Sequence, residues 1–224
     1  MPNAQAPNGR GSPRPSAAHG QGEPGRDSGH EALSTLRERP LCAIVIGGSA
    51  GGIDAVTVLL AALPRPLLVP VLVVLHIASG SRTQWPLVFR SSTAPVIEAE
   101  DKDLAEAGNV YVAPPDYHLL VDERARLSLA ADERVNHARP SIDVLFESAA
   151  WSFGAAVLGV VLSGANSDGA LGLAAIRERG GGCWVQAPQT AAALAMPRAA
   201  IDAVPDALVL SPGEMAQALG AWAA

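Results

Sequence analysis

One stretch decides the fold: Leu41-Cys42-Ala43-Ile44-Val45-Ile46-Gly47-Gly48-Ser49-Ala50-Gly51-Gly52. Leu41–Ile46 is a continuous apolar run, the pattern of a strand buried on both faces of a parallel sheet. A glycine-rich turn follows, and Ile53–Leu63 has helical periodicity that stops at Pro64. Strand, tight turn and helix open an α/β fold. Working outward, Val69–Leu75 reads as a second buried strand, Ser81–Arg90 as a helix and Ala94–Ala99 as a third strand. That βαβαβ order predicts a parallel, doubly wound sheet with right-handed crossovers.

The centre of the chain reads differently. Asn109–Ala113, His118–Val121 and Arg126–Leu129 are short and separated by Pro114-Pro115-Asp116 and Asp122-Glu123, which predicts strands with an antiparallel hairpin. Ser141–Phe153 reads as a helix with Ser141 as N-cap and Asp143 in its first turn. Beyond it come strand Val157–Leu162, helix Asp168–Arg179, strand Gly182–Gln186, helix Met196–Ala203, strand Ala207–Leu210 and helix Pro212–Trp222.

Composition narrows the function. The 224 residues are 49% hydrophobic but only 4% aromatic, so the core is aliphatic. A net charge of -6 argues against nucleic acid as the main partner, which calls for a clustered Lys/Arg surface. Cys42 and Cys183 are far apart and outside any metal-spaced motif, so both read as buried small hydrophobes, and no metal is expected. Residues 1–39 are rich in Pro, Gly, Ser, Arg and Glu and are expected to be disordered, with room for a short helix over Glu31–Arg39. Residues 40–224 form the expected single folded domain. The start lacks the apolar segment of a signal peptide, and the longest apolar run, Pro66–Leu75, is half of a membrane span. A cytoplasmic location without membrane insertion is the expectation.

Three chemistries compete for the turn Gly47–Gly52. A dinucleotide fingerprint needs glycine where Ser49 stands and an acidic residue after the next strand, where His76 stands. A phosphate-binding P-loop needs lysine where Ile53 stands. The third, Gly-x-Ser-x-Gly, places a serine hydroxyl on a sharp strand-to-helix turn, with the helix dipole aimed at the site. Ser49 as a plain helix cap competes with that nucleophile reading. A nucleophilic serine needs a base, and His76 directly follows Val71–Leu75, whose end shares a sheet edge with the first strand. The base needs an orienting carboxylate. Asp168 follows strand Val157–Leu162 in Leu162-Ser163-Gly164-Ala165-Asn166-Ser167-Asp168-Gly169, where it is also a candidate cap for the next helix. Asp54, Asp101, Asp103 and Asp143 are weaker candidates. The order Ser49, His76, Asp168 differs from the Ser, acid, His order of α/β-hydrolases, which would need His118 or His137.

Several further segments occur in a specific order: Ile46–Gly52; Val74-Leu75-His76; Val110-Tyr111-Val112-Ala113-Pro114-Pro115-Asp116-Tyr117-His118-Leu119; Arg139-Pro140-Ser141-Ile142-Asp143-Val144-Leu145-Phe146-Glu147-Ser148-Ala149; Leu162-Ser163-Gly164 with Ser167-Asp168-Gly169-Ala170; and Ala195-Met196-Pro197-Arg198-Ala199-Ala200. Together they resemble the catalytic domain of the chemotaxis-type protein-glutamate methylesterases, from about Cys42 to Leu210. The resemblance implies a three-layer α/β/α sandwich, and a triad of Ser49, His76 and Asp168. It implies hydrolysis of glutamate γ-methyl esters on a methylated chemoreceptor-like protein with release of methanol, no cofactor, and in many members deamidation of receptor glutamines. Backbone N–H groups of Ala50, Gly51, Gly52, Ala165 and Asn166 are candidates to hold the oxyanion, and Arg139 and Arg198 candidates to line the cleft.

There are departures from the family pattern. Its enzymes usually begin with a phosphoacceptor receiver domain, which residues 1–39 are too few to form, so a receiver-domain regulator would act in trans. The family's Thr-Gly-Met-Gly loop reads Ser163-Gly164-Ala165-Asn166, and its Gly before Met-Pro is Ala195. A non-catalytic chemosensory binding module and a small-molecule esterase are the alternatives.

Overall fold

A computed structural model describes residues 28–37, 40–78, 80 and 83–222. Seven strands form one sheet: β1 (Ala43–Gly48), β2 (Val71–Leu75), β3 (Val96–Glu98), β4 (Val110–Val112), β7 (Val157–Val161), β8 (Gly182–Gln186) and β9 (Leu208–Leu210). Their order is β3-β4-β2-β1-β7-β8-β9, and every pairing is parallel. β5 (His118–Val121) and β6 (Leu127–Ala130) form the expected hairpin, antiparallel and separate from the main sheet. β4 is no part of it; it enters the parallel sheet between β3 and β2.

Alternation along the strands sorts side chains into two cores. Ile44, Ile46, Val71, Val73, Val110, Val112, Leu158 and Val160 pack with α2 (Gly52–Ala61) and α7 (Pro212–Trp222). Val45, Leu72, Val74, Tyr111, Val161 and Val185 pack on the other face with α4 (Ile142–Phe153), α5 (Ala170–Glu178), α6 (Ala195–Ala203) and the hairpin. The three-layer α/β/α sandwich is therefore present, with strands buried on both sides.

Three expectations are corrected. The short helix for which Glu31–Arg39 leaves room is present as α1 (Ser28–Arg37), with Ala32 and Leu36 in the core, so the expected disorder does not extend to it; the rest of residues 1–39 lies outside the described residues. The helix expected over Ser81–Arg90 shrinks to α3 (Trp85–Val88), which starts with Pro86 in its first turn; Ser81 lies outside the described residues. Cys42 is exposed because it precedes β1 at the rim of the sheet, whereas Cys183 is buried on β8.

Candidate active site

The site forms where β1, β2 and β7 end side by side. Gly48 pairs with Leu75 in the β1–β2 register, and the His76 N–H donates to Gly48 O at 3.1 Å. Ser49 and His76 are thus the next residues along two neighbouring strands, about 4.8 Å apart in a sheet. On the other side Ser49 N–H donates to Ser163 O at 2.8 Å, just beyond β7. The Ser163 hydroxyl is fully buried and donates to Ala50 O at 2.7 Å while accepting from Ala193 N–H at 2.9 Å. It clamps the Ser49 turn to the loop before α6. Gly51 has φ 76, and a β-carbon there would lie 2.5 Å from Ala192 Cβ, so both its conformation and its packing require glycine.

Asp168, fully buried, meets His76: Nε2 lies 2.8 Å from Oδ2. The carboxylate also accepts from Ser141 Oγ at 2.8 Å, Asn136 Nδ2 at 3.0 Å and the N–H groups of Ile142 and Asp143 at 2.7 and 3.1 Å. Burial acts to raise its pKa, but hydrogen bonds from His76, Asn136, Ile142 and Ser141 outweigh it and hold the carboxyl at about 2. An ionised carboxylate only accepts, so His76 Nε2 carries the hydrogen. Nδ1 keeps its lone pair and has no protein partner among the described residues, which leaves it as the basic nitrogen.

Asp168 does not cap the helix that follows it. It caps α4, taking the first two N–H groups of that helix. Asp143, in the first turn of α4, returns the favour to α5: its Oδ1 accepts from Gly169 and Gly172 N–H at 2.9 and 2.7 Å. The two helices therefore exchange caps, each dipole facing the other's carboxylate. Burial, with Asp168 nearby, pushes the Asp143 carboxyl up, partly offset by the Gly172 N–H and Asn136. Ser141 sits at the N-cap position of α4 as expected, but its hydroxyl serves Asp168 instead of the helix.

The remaining histidines separate by role. His118 is buried; its Nδ1 accepts from Ser141 N–H at 3.1 Å, so Nε2 donates to Glu133 O at 3.0 Å. With both nitrogens engaged it pins the loop 131–140 to α4. That loop walls a cleft of about 170 Å³ lined by His76, Arg134, Asn136, His137, Arg139 and Asn166, among others, but not by Ser49. Arg139 is on this wall and braces the loop by donating to Ala131 O and Asp132 O at 2.8 and 2.6 Å. Arg198 is exposed on α6 and is not among the residues lining the cleft. Of the five N–H groups considered for an oxyanion, Gly52's donates to Ser49 O at 2.8 Å, which corrects that candidate. Those of Ala50, Gly51, Ala165 and Asn166 have no protein partner among the described residues. Sequence reasoning missed Asn136, Ser163 and the structural part played by His118. Only Ser163 left a signal, as the hydroxyl residue opening the loop after β7.

The sequence as a whole matches one known group. The sequence profile described as CheB methylesterase matches residues 44–219. The chain belongs to this family. A Leptospira interrogans relative, provisionally named a protein-glutamate methylesterase/protein-glutamine glutaminase, is 46% identical over 78% of this chain and 91% of its own. The Myxococcus xanthus protein-glutamate methylesterase FrzG is 39% identical over 72% of this chain and 49% of its own. The chain thus spans about half the length of some relatives and nearly all of others. The crystal structure of the Thermotoga maritima CheB methylesterase catalytic domain superposes with a TM-score of 0.75 at 27% identity, covering 80% of this chain and 97% of that one. Among the described residues of this CheB-family chain, no helix is long and apolar enough to cross a membrane.

Proposed function

We propose that the chain is a protein-glutamate methylesterase in which Ser49 attacks, His76 is the base and Asp168 orients it. The observation that carries this reading is the 2.8 Å hydrogen bond from His76 Nε2 to Asp168 Oδ2, at the sheet edge where the Ser49 turn also ends. His76 Nδ1 takes the Ser49 proton as the hydroxyl adds to the ester carbonyl. The oxyanion is held by N–H groups of the Ala50–Gly51 turn or the Ala165–Asn166 loop. The proton then passes to the departing methoxide, which leaves as methanol. Water, deprotonated by the same nitrogen, cleaves the acyl-enzyme and frees the glutamate carboxylate. A glutamine amide reacts by the same route with ammonia as leaving group, which accounts for deamidation.

The cleft favours a substrate presented by another protein. About 170 Å³ is small against the several hundred of sites that engulf a whole small molecule. It suits one side chain of an approaching helix, and a methylated chemoreceptor-like protein is the substrate this reading names. A receiver-domain protein in trans is the regulator it would pair with.

The test is methanol release from methylated receptor. The wild-type chain is expected to release it, and Ser49→Ala to fall to the uncatalysed rate. Equal release from both would sink the serine mechanism, and turnover of nitrophenyl esters alone would reassign the substrate.

A further inference from the structure

The cleft wall and the triad acid meet at one side chain. Asn136 stands in the loop 131–140 with φ 52, in the left-handed region that asparagine tolerates better than most residues. Its residue surface is exposed, yet its amide nitrogen reaches inward. Nδ2 donates to Asp143 Oδ2 at 2.7 Å and to Asp168 Oδ1 at 3.0 Å. Only a group with two hydrogens and no charge of the wrong sign can serve two carboxylates at once, and a primary amide supplies that. The groups around this point come from every neighbouring element: His76 after β2, Asp143 on α4, Asp168 before α5, and Arg134, His137 and Arg139 on the loop itself.

The geometry points to Asn136 as a positioning residue for the triad. Its two amide hydrogens hold Asp168 and Asp143 together without mutual repulsion, and keep Asp168 Oδ2 directed at His76. Because Asn136 belongs to the loop that walls the cleft, the seating of that loop and the orientation of the catalytic imidazole are one event. The idea rests on the triad reading above. Asn136 acts through Asp168 and touches no reacting atom.

Two variants test it. Asn136→Gly keeps the left-handed backbone and removes the amide; Asn136→Asp keeps the shape and replaces the donor with a carboxylate. Removing a donor from Asp168 leaves its charge less dispersed, and adding a carboxylate increases the negative field, so both hold a proton on the base to higher pH. The acid limb of kcat/KM for methanol release should therefore move up by roughly half a pH unit in Asn136→Gly and by more in Asn136→Asp. At neutral pH kcat should fall about tenfold in the first with KM changed far less, as for a transition-state interaction. Wild type and Ser49→Ala are run alongside. If wild type is inactive or Ser49→Ala is active, the triad reading fails. If they behave as expected but the limb stays in place in both Asn136 variants, the positioning role is overturned. Should Asn136→Gly fail to fold, the shift in the isosteric Asn136→Asp decides by itself.

Discussion

Asp168 carries an acid-stability signature of its own. Its carboxyl is held at about 2 in the folded chain, against 3.8 for the free side chain. A depressed carboxyl stabilises the fold fully above the unfolded value and loses that contribution as pH falls through the folded one. The window therefore lies between roughly pH 4 and pH 2, and the loss is about 2 kcal/mol. Asp143 has the opposite sign: its pKa is raised, chiefly by burial, so acid relieves its cost. Urea unfolding between pH 2 and 5 should show wild type losing stability more steeply than Asp168→Asn in the lower half of that range. Parallel curves would mean that Asp168 is not ionised in its cage. At this scale the sequence disclosed what stands at strand ends. Ser49, His76 and Asp168 each follow an apolar run, and the run locates them. Asn136 follows no run, and its contacts depend on a left-handed turn inside a polar loop, which has no periodicity to read. A carboxylate just before a helix normally serves that helix, which makes Asp168 a candidate cap for α5, and only the packing of α4 against α5 redirects it to α4.

The exchange of caps makes α4 and α5 one unit. Gly172 marks how closely they pack: a β-carbon there would lie 2.5 Å from Phe146 Cβ and 3.0 Å from the Asp143 backbone. Asp143→Ala removes the acceptor that the Gly169 and Gly172 N–H groups find among the described residues, on the neighbouring helix. Loss of a cap costs about 1 kcal/mol, and stranded buried donors add to it, so a loss of roughly 2 kcal/mol is expected. Chemical denaturation measures it directly; a change below about 0.5 kcal/mol, the scale of an ordinary surface substitution, would show that the cap is dispensable. The strands were legible to within a residue or two because buried parallel strands are plain apolar runs. Their order was not. β4 lies between β3 and β2, and nothing in Val110-Tyr111-Val112 distinguishes a sheet insertion from one arm of a hairpin. Short strands record burial in their sequence, and their partners are chosen by packing.

At the scale of the molecule, α1 extends the fold beyond the span that defines the family, which begins at residue 44. Composition argues that residues 1–39 as a whole cannot offset their ordering entropy, yet Glu31–Arg39 leaves room for a short helix, and α1 occupies most of that stretch. Ala32 and Leu36 are 0% and 2% exposed, in the same core as Trp184, Leu210 and Met215. The Trp222 indole N–H donates to Leu36 O at 3.1 Å and Arg37 to Ala221 O at 3.3 Å, tying α1 to the end of α7. This packing lies against α7 and β9, at the far edge of the sheet from β1 and β2, beyond whose ends Ser49 and His76 stand. Removing residues 1–39 should therefore lower stability by roughly 2–4 kcal/mol, the burial of one leucine with its smaller neighbours, and leave kcat within about twofold at temperatures where the shortened chain is folded. Thermal unfolding followed by tryptophan fluorescence, with methanol release on the same samples, separates the two effects. An unchanged melting temperature would show that α1 adds nothing to the core. A loss of turnover in folded protein would mean that the far edge of the sheet communicates with the β1–β2 ends, and that α1 serves the site as well as the fold.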